Sequence, residues 1–195
     1  MSVITRSTAA FTRQLAAGVR VLLVLTLLTG VVYPLVVLAV GQTVARDHAQ
    51  GSLVTVGDSV VGSSSLGQSY AGAQWFHARP SAVDYAGDKS GGSNLGPSSP
   101  DLAKALQDNE AAVRADNPGF TGPVPADALT ASDSGLDPDI SPEYASLQVA
   151  RVAAARGVPA SQMQALVDTH TKGRLLGFLG EPRVNVTDLN AALAG

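Results

Sequence analysis

Residues 21–45 carry no charged side chain, and this run, VLLVLTLLTGVVYPLVVLAVGQTVA, limits what the chain can become more than any other feature. As a helix it rises about 37 Å at 1.5 Å per residue, enough to cross a ~30 Å hydrocarbon core. A helix satisfies its backbone polar groups internally, which is the condition for spanning lipid. A cleaved signal peptide has a shorter apolar region, about 7–15 residues, before a small-x-small site. Here residues 35–40 carry the run on past Pro34, which favours a permanent anchor. Tyr33-Pro34 sits mid-run, and the proline is expected to bend the helix, because it removes an amide donor and crowds the preceding turn.

Charge gives the direction. Arg6, Arg13 and Arg20 precede the run, whereas Arg46 beyond it is offset at once by Asp47. The positive-inside rule then predicts a cytoplasmic tail over residues 1–20, a transmembrane helix over 21–45 and an extracytoplasmic domain over 46–195. Beyond Arg46 the chain carries all 16 of its acidic side chains and all but four of its 13 basic ones, a net charge of −7. An acidic domain with few aromatics and no basic stripe excludes nucleic acid as a partner class. The chain has no cysteine, so a thiolate metal site is excluded, and His48, His77 and His170 lack ligand spacing.

The exported part reads as one α+β domain with a small β-sheet and about three helices. Leu53-Val54-Thr55-Val56, Gly57-Asp58 and Ser59-Val60-Val61 form a hairpin pattern. Residues 62–100 are rich in Gly, Ser and Pro but hold Trp75-Phe76-His77, which predicts an ordered loop rather than a linker. Ser99-Pro100-Asp101 and Ser141-Pro142-Glu143 are helix starts with a capping hydroxyl, proline in the first turn and an acid at the positive end. The first helix is expected to reach Asp116 with Leu102, Leu106 and Val113 on its apolar face. The second turns Tyr144, Leu147 and Ala154 inward and stops at Arg156-Gly157. A third begins at Pro159, buries Met163, Leu166 and Val167, and ends at Gly173. Arg183-Val184-Asn185-Val186 reads as a strand, with a last helical turn over residues 189–193.

Chemical motifs are few. There is no phosphate-binding glycine loop, so the chain binds no nucleotide alone. Asp88-Lys89-Ser90-Gly91 resembles a P-type phosphorylation sequence only superficially, since no strand precedes it. His77, Asp84 and a serine could make a hydrolytic triad, but no serine stands in a GxSxG elbow. Asp133, Asp137, Asp139 and Glu143 lack the spacing of a calcium loop. Asn185-Val186-Thr187 fits a glycosylation acceptor, relevant only in a eukaryotic secretory pathway. The residues alone therefore point to a non-catalytic exported domain, with an anchored solute-binding or hydrolase domain as the alternative.

Blocks that resist a chemical reading carry a resemblance. They include Thr29-Gly30-Val31-Val32-Tyr33-Pro34-Leu35 and Phe76-His77-Ala78-Arg79-Pro80-Ser81. Next come Ser90-Gly91-Gly92-Ser93-Asn94-Leu95-Gly96-Pro97 and Ser134-Gly135-Leu136-Asp137-Pro138. Gln148-Val149-Ala150-Arg151-Val152-Ala153 and Gly180-Glu181-Pro182-Arg183-Val184-Asn185-Val186 complete the series. In this order the chain resembles the C subunit of Kdp-type potassium-transporting ATPases, the KdpC family. Asp133 and Asp139 depart from the pattern, standing where Gly and often His or Asn are expected.

The resemblance implies a non-catalytic accessory subunit of a high-affinity, ATP-driven potassium uptake complex in a bacterial cell membrane. Its implied partners are a channel-like potassium-translocating A chain, a P-type ATPase B chain and the lipid membrane. It implies a role in assembly and as a catalytic chaperone that raises the ATPase subunit's affinity for ATP. ATP- and nucleotide-binding come with that association; ATP and potassium are used by the complex, and the C subunit binds no cofactor or metal alone. Capping the ion entrance of the channel subunit is the physically simpler role for an exported domain. Gly30, Tyr33 and Pro34 are then expected to serve anchoring and assembly. The loop motifs at Phe76, His77, Arg79, Pro80, Ser93, Asn94, Leu95, Gly135, Leu136, Asp137, Gln148, Arg151 and Asn185 are expected to be structural or interfacial.

Overall fold

A computed structural model describes the backbone of residues 3–195 and the side chains from Ala10 onward. The chain forms two compact units that divide between Gly51 and Ser52. The first holds helix α1 (Val3–Leu27), a π-helical turn (Leu28–Val32), helix α2 (Tyr33–Val44) and the single turn α3 (Arg46–Ala49). Its stretch Ala10–Val44 is long and apolar enough to cross a membrane, and none of it is buried against protein.

The π-turn is the structure's answer to Pro34. Proline has no amide to donate to the Gly30 carbonyl, and its ring crowds that carbonyl. Widening the turn removes the conflict: the Tyr33 amide reaches back five residues to the Leu28 carbonyl. One extra residue is thus absorbed at the point where the sequence predicts a bend.

In the second unit, strands β1 (Leu53–Val56) and β2 (Ser59–Ser63) pair antiparallel around Gly57-Asp58. Gly57 takes φ +57°, the left-handed setting a two-residue hairpin turn needs at its first position. Helices α4 (Pro100–Asp116), α5 (Ala126–Leu129), α6 (Pro142–Arg156), α7 (Ala160–His170) and α8 (Val186–Ala194) follow. Strands β3 (Asp139–Ile140), β4 (Thr171–Lys172) and β5 (Arg183–Asn185) form a second sheet in the order β3-β5-β4, with both pairings antiparallel.

The predicted caps are in place. Ser99 Oγ accepts from the Asp101 amide and Ser141 Oγ from the Tyr144 amide, while Gly157 closes α6 in the left-handed region. Several details differ from expectation. Ala154 lies exposed; the inward positions of α6 are Tyr144, Ala145, Leu147, Gln148, Val149, Val152 and Ala153. On α4 only Val113 is buried, so that helix covers the core with a narrow stripe. Helix α7 ends at His170, before Gly173, because Thr171 and Lys172 leave to pair with β5. The final helical turn is a full helix, α8. A single core joins α6, α7, α8 and β5 with Phe76, Val113, Ala128 and Ile140.

Candidate functional site

Between β2 and α4 lie more than thirty residues without helix or strand, and the motif residues are what hold them. Two buried amides replace a neighbouring strand. Asn190 Oδ1 accepts from the Phe76 amide at 2.9 Å, and its Nδ2 donates to the Phe76 carbonyl at 2.9 Å. Gln148 treats the next residue alike, accepting from the His77 amide at 2.7 Å and donating to the His77 carbonyl at 3.0 Å. Phe76 itself is 0% exposed. Arg151 completes the clamp: Nη1 donates to the carbonyls of Ala73 and Trp75, Nη2 to Gln148 Oε1 and Nε to Asn117 Oδ1. Burial pulls the Arg151 guanidinium below its ordinary pKa. The fork geometry of arginine permits four acceptors at once, which a lysine ammonium does not reproduce.

Further along, Arg79 and Asp137 pair at 3.0 Å and join the loop to residues 130–139. The Pro80 carbonyl accepts from the Ser132 amide at 3.0 Å, and the Tyr85 hydroxyl donates to the Arg79 carbonyl. Burial pushes the Tyr85 hydroxyl up to about 12, so it stays a donor. Gly135, at φ +69°, lies under Ser81 and Val83. Ser81 Oγ donates to its carbonyl at 2.7 Å, and a Cβ there would meet Val83 at 2.4 Å and the Gly91 carbonyl at 2.8 Å. The Leu136 carbonyl accepts from the Gly67 amide at 2.7 Å. Asn185 caps α8 through the Asp188 amide and donates to the Ser64 carbonyl and Asp139 Oδ1. Its amide nitrogen is therefore engaged and buried, unlike a glycosylation acceptor.

The structure thus brings Phe76, His77, Gln148 and Arg151 together, and Arg79, Pro80, Gly135, Leu136 and Asp137 together. Ser93, Asn94 and Leu95 stand apart on an exposed loop, where Asn94 bonds only locally to the Gly92 carbonyl. Gly30, Tyr33 and Pro34 belong to the other unit. The acids do not converge: Asp137 meets Arg79, Asp139 meets Arg183, and Asp133 and Glu143 are exposed. Asp84 is not a partner of His77, and Ser90 with Gly91 serves to bond the Ser134 carbonyl.

One face of the clamp opens on a cleft of about 1160 Å³, lined by His77, Asp116, Phe120, Pro125, Glu143 and Arg151 among others. His77 Nε2 lies 3.1 Å from the Gly72 carbonyl, and Nδ1 lies 3.4 Å from Asp116. Burial, reinforced by Arg151, lowers the His77 pKa despite Asp116, so the ring is neutral near neutrality. A neutral imidazole, the carboxylates of Asp116 and Glu143 and a bonded guanidinium make a recognition surface without an activated nucleophile. Sequence reasoning missed Asn190, Asn117 and Asp116 as partners of the motif residues; side-chain amides far apart in sequence give no periodic signal.

A chain with both an apolar N-terminal helix and a motif-clamped loop coincides with the span of a family model. A model described as "K+-transporting ATPase, c chain" matches residues 15–195. The chain belongs to the KdpC family. It is 54% identical over 183 residues to a potassium-transporting ATPase KdpC subunit of Kineococcus radiotolerans, covering 93% of each chain. The corresponding KdpC subunit of Sorangium cellulosum is 52% identical over 177 residues, 89% of this chain and 93% of that one. That of Methylibium petroleiphilum is 50% identical over 184 residues, 93% and 96% of the two chains. Membership in the KdpC family makes the chain an accessory subunit of a potassium-transporting ATPase rather than its catalytic chain.

Proposed function

We propose that this KdpC chain is a single-pass bacterial membrane subunit, with its N-terminus cytoplasmic and residues 52–195 outside. There it aids assembly of a channel-like potassium-translocating subunit with a P-type ATPase subunit, and acts as a catalytic chaperone that raises the latter's affinity for ATP. The observation that carries this reading is the contrast between the two units. The helix from Ala10 to Val44 has none of its surface buried in its own chain, so lipid and partner helices must cover it. In the second unit most of the motif residues instead serve to hold one long loop in place, which suits a docking surface rather than a reaction centre.

An exported unit cannot touch cytoplasmic nucleotide. The gain in ATP affinity therefore passes through the anchor and the partner subunits, and a cap over the channel's ion entrance is the direct role of the exported unit. Three measurements test this. Protease added outside intact cells should degrade residues 52–195. Deleting the gene should abolish growth at limiting potassium and co-purification of the channel and pump subunits. In the reconstituted complex, omitting this chain should raise the KM for ATP more than it lowers kcat. Growth and assembly that survive deletion would refute the proposal.

A further inference from the structure

The connection from β4 to β5 carries an apolar tip that stands outside the core of its own unit. Leu175, Leu176, Phe178 and Leu179 are 63%, 79%, 72% and 55% exposed, and none belongs to the core cluster. Nowhere else in residues 52–195 do four such side chains fall within five consecutive positions. The tip is nevertheless a defined turn. Leu175 and Leu179 exchange both backbone hydrogen bonds at 2.9 Å, and the amides of Gly177 and Phe178 bond the carbonyls of Arg174 and Leu175. Leu176 sits at φ +55° and Gly177 at φ +82°. A left-handed, solvent-facing position is sterically cheaper for Asn, Asp or Gly, yet the chain places its most exposed leucine there. Clustered exposed apolar side chains of this kind mark a contact surface.

Three features favour lipid as the occupant. First, the backbone at the tip satisfies most of its own donors, which lowers the penalty for leaving water. Second, three cations stand at the base of the turn, each in a surface ion pair: Lys172 with Asp188, Arg174 with Glu181 and Arg183 with Asp139. Surface ion pairs of this kind are weak, so the cations can turn to headgroup phosphates when the tip meets a bilayer. Third, residues 45–51 alone separate the apolar helix from this unit and span at most about 25 Å extended. That tether holds the unit at a high effective concentration beside the bilayer. We infer that residues 174–180 form a membrane-dipping finger that inserts Leu176 and Phe178 among the lipid headgroups and upper acyl chains.

The absence of cysteine permits a direct test on the full chain. Leu176→Cys, Phe178→Cys and, as a control in the β1–β2 turn, Asp58→Cys are each labelled with an environment-sensitive fluorophore. Each is reconstituted into phosphatidylethanolamine–phosphatidylglycerol vesicles, and flotation with the vesicles reports the anchor separately. The finger predicts that brominated acyl chains quench the tip labels roughly twofold or more over the control, with matching protection from aqueous iodide. With the label moved to Leu179→Cys, adding Leu176→Ser and Phe178→Ser should abolish that protection. Tip labels as open to iodide as the control in floated vesicles would overturn the inference. So would shielding that arises only when the channel and pump subunits are co-reconstituted, an outcome that assigns the tip to a protein groove.

Discussion

Phe76 shows how a single side chain can organise a long loop. Fully buried, it fills the core while its own amide and carbonyl are held by Asn190, so Phe76→Ala empties a cavity beneath a clamped backbone. A cost of about 3–5 kcal/mol is expected, read as a fall in the thermal midpoint of the detergent-purified chain. Trp75→Ala should cost less, because Trp75 is only half-buried and loses chiefly its stacking under the Arg156 guanidinium at 4.6 Å. Gly135→Ala combines a left-handed backbone with a clash against Val83, and should cost about 2 kcal/mol or more; an unchanged midpoint would show that the loop shifts freely. His77 governs a pH response. Its folded pKa lies below the ordinary 6.5, so below that pH the unfolded chain binds the proton more readily and stability falls as pH falls. The slope is at most about 1.4 kcal/mol per pH unit. It should show as a declining midpoint between about pH 6.5 and His77's depressed value, and His77→Gln should remove that portion. Asp139 acts in the opposite sense, since burial raises its carboxyl, but from the lower starting value of 3.8.

At the level of elements, local chemistry made much of the fold legible. The Ser-Pro-acid starts of α4 and α6, the Gly157 stop and the Gly57-Asp58 turn each declare themselves within a few residues, and each stands where the sequence places it. What stayed hidden was non-local. Strands β3 and β4 have two residues apiece and exist only because β5 lies between them, so no pattern along the chain could announce them. The clamp was half legible: Gln148, Arg151 and Phe76 are recognisable as motif residues, but their partners Asn190 and Asn117 emerge only on folding. Pro34 was legible as a disruption, though not its remedy. A π-turn rotates everything beyond it by about 100° relative to an unbroken helix, so it sets which side of α2 faces a partner. Pro34→Ala should let the regular helix return and misalign α2. Expression and membrane insertion of the lone chain should persist while recovery of the complex on co-purification falls, and full recovery would show that the rotation carries no interface.

Across the whole molecule, the two units draw stability from different solvents. The anchor helix needs lipid or detergent around its apolar surface, whereas the second unit has its own core. Heating in detergent should therefore abolish the near-UV signal of Trp75 and the tyrosines while leaving residual far-UV helicity from the anchor. Simultaneous loss of both would indicate a cooperative link between the units. The Gln148 and Asn190 clamps grip main-chain atoms and ignore the lettering of the residues they hold. They police the course of the chain, so the imidazole at 77 is not needed to fix its own backbone and can face the cleft. Shortening the segment there by one residue would slide the wrong peptide into both grips at once, a harsher lesion than replacing any one of its side chains.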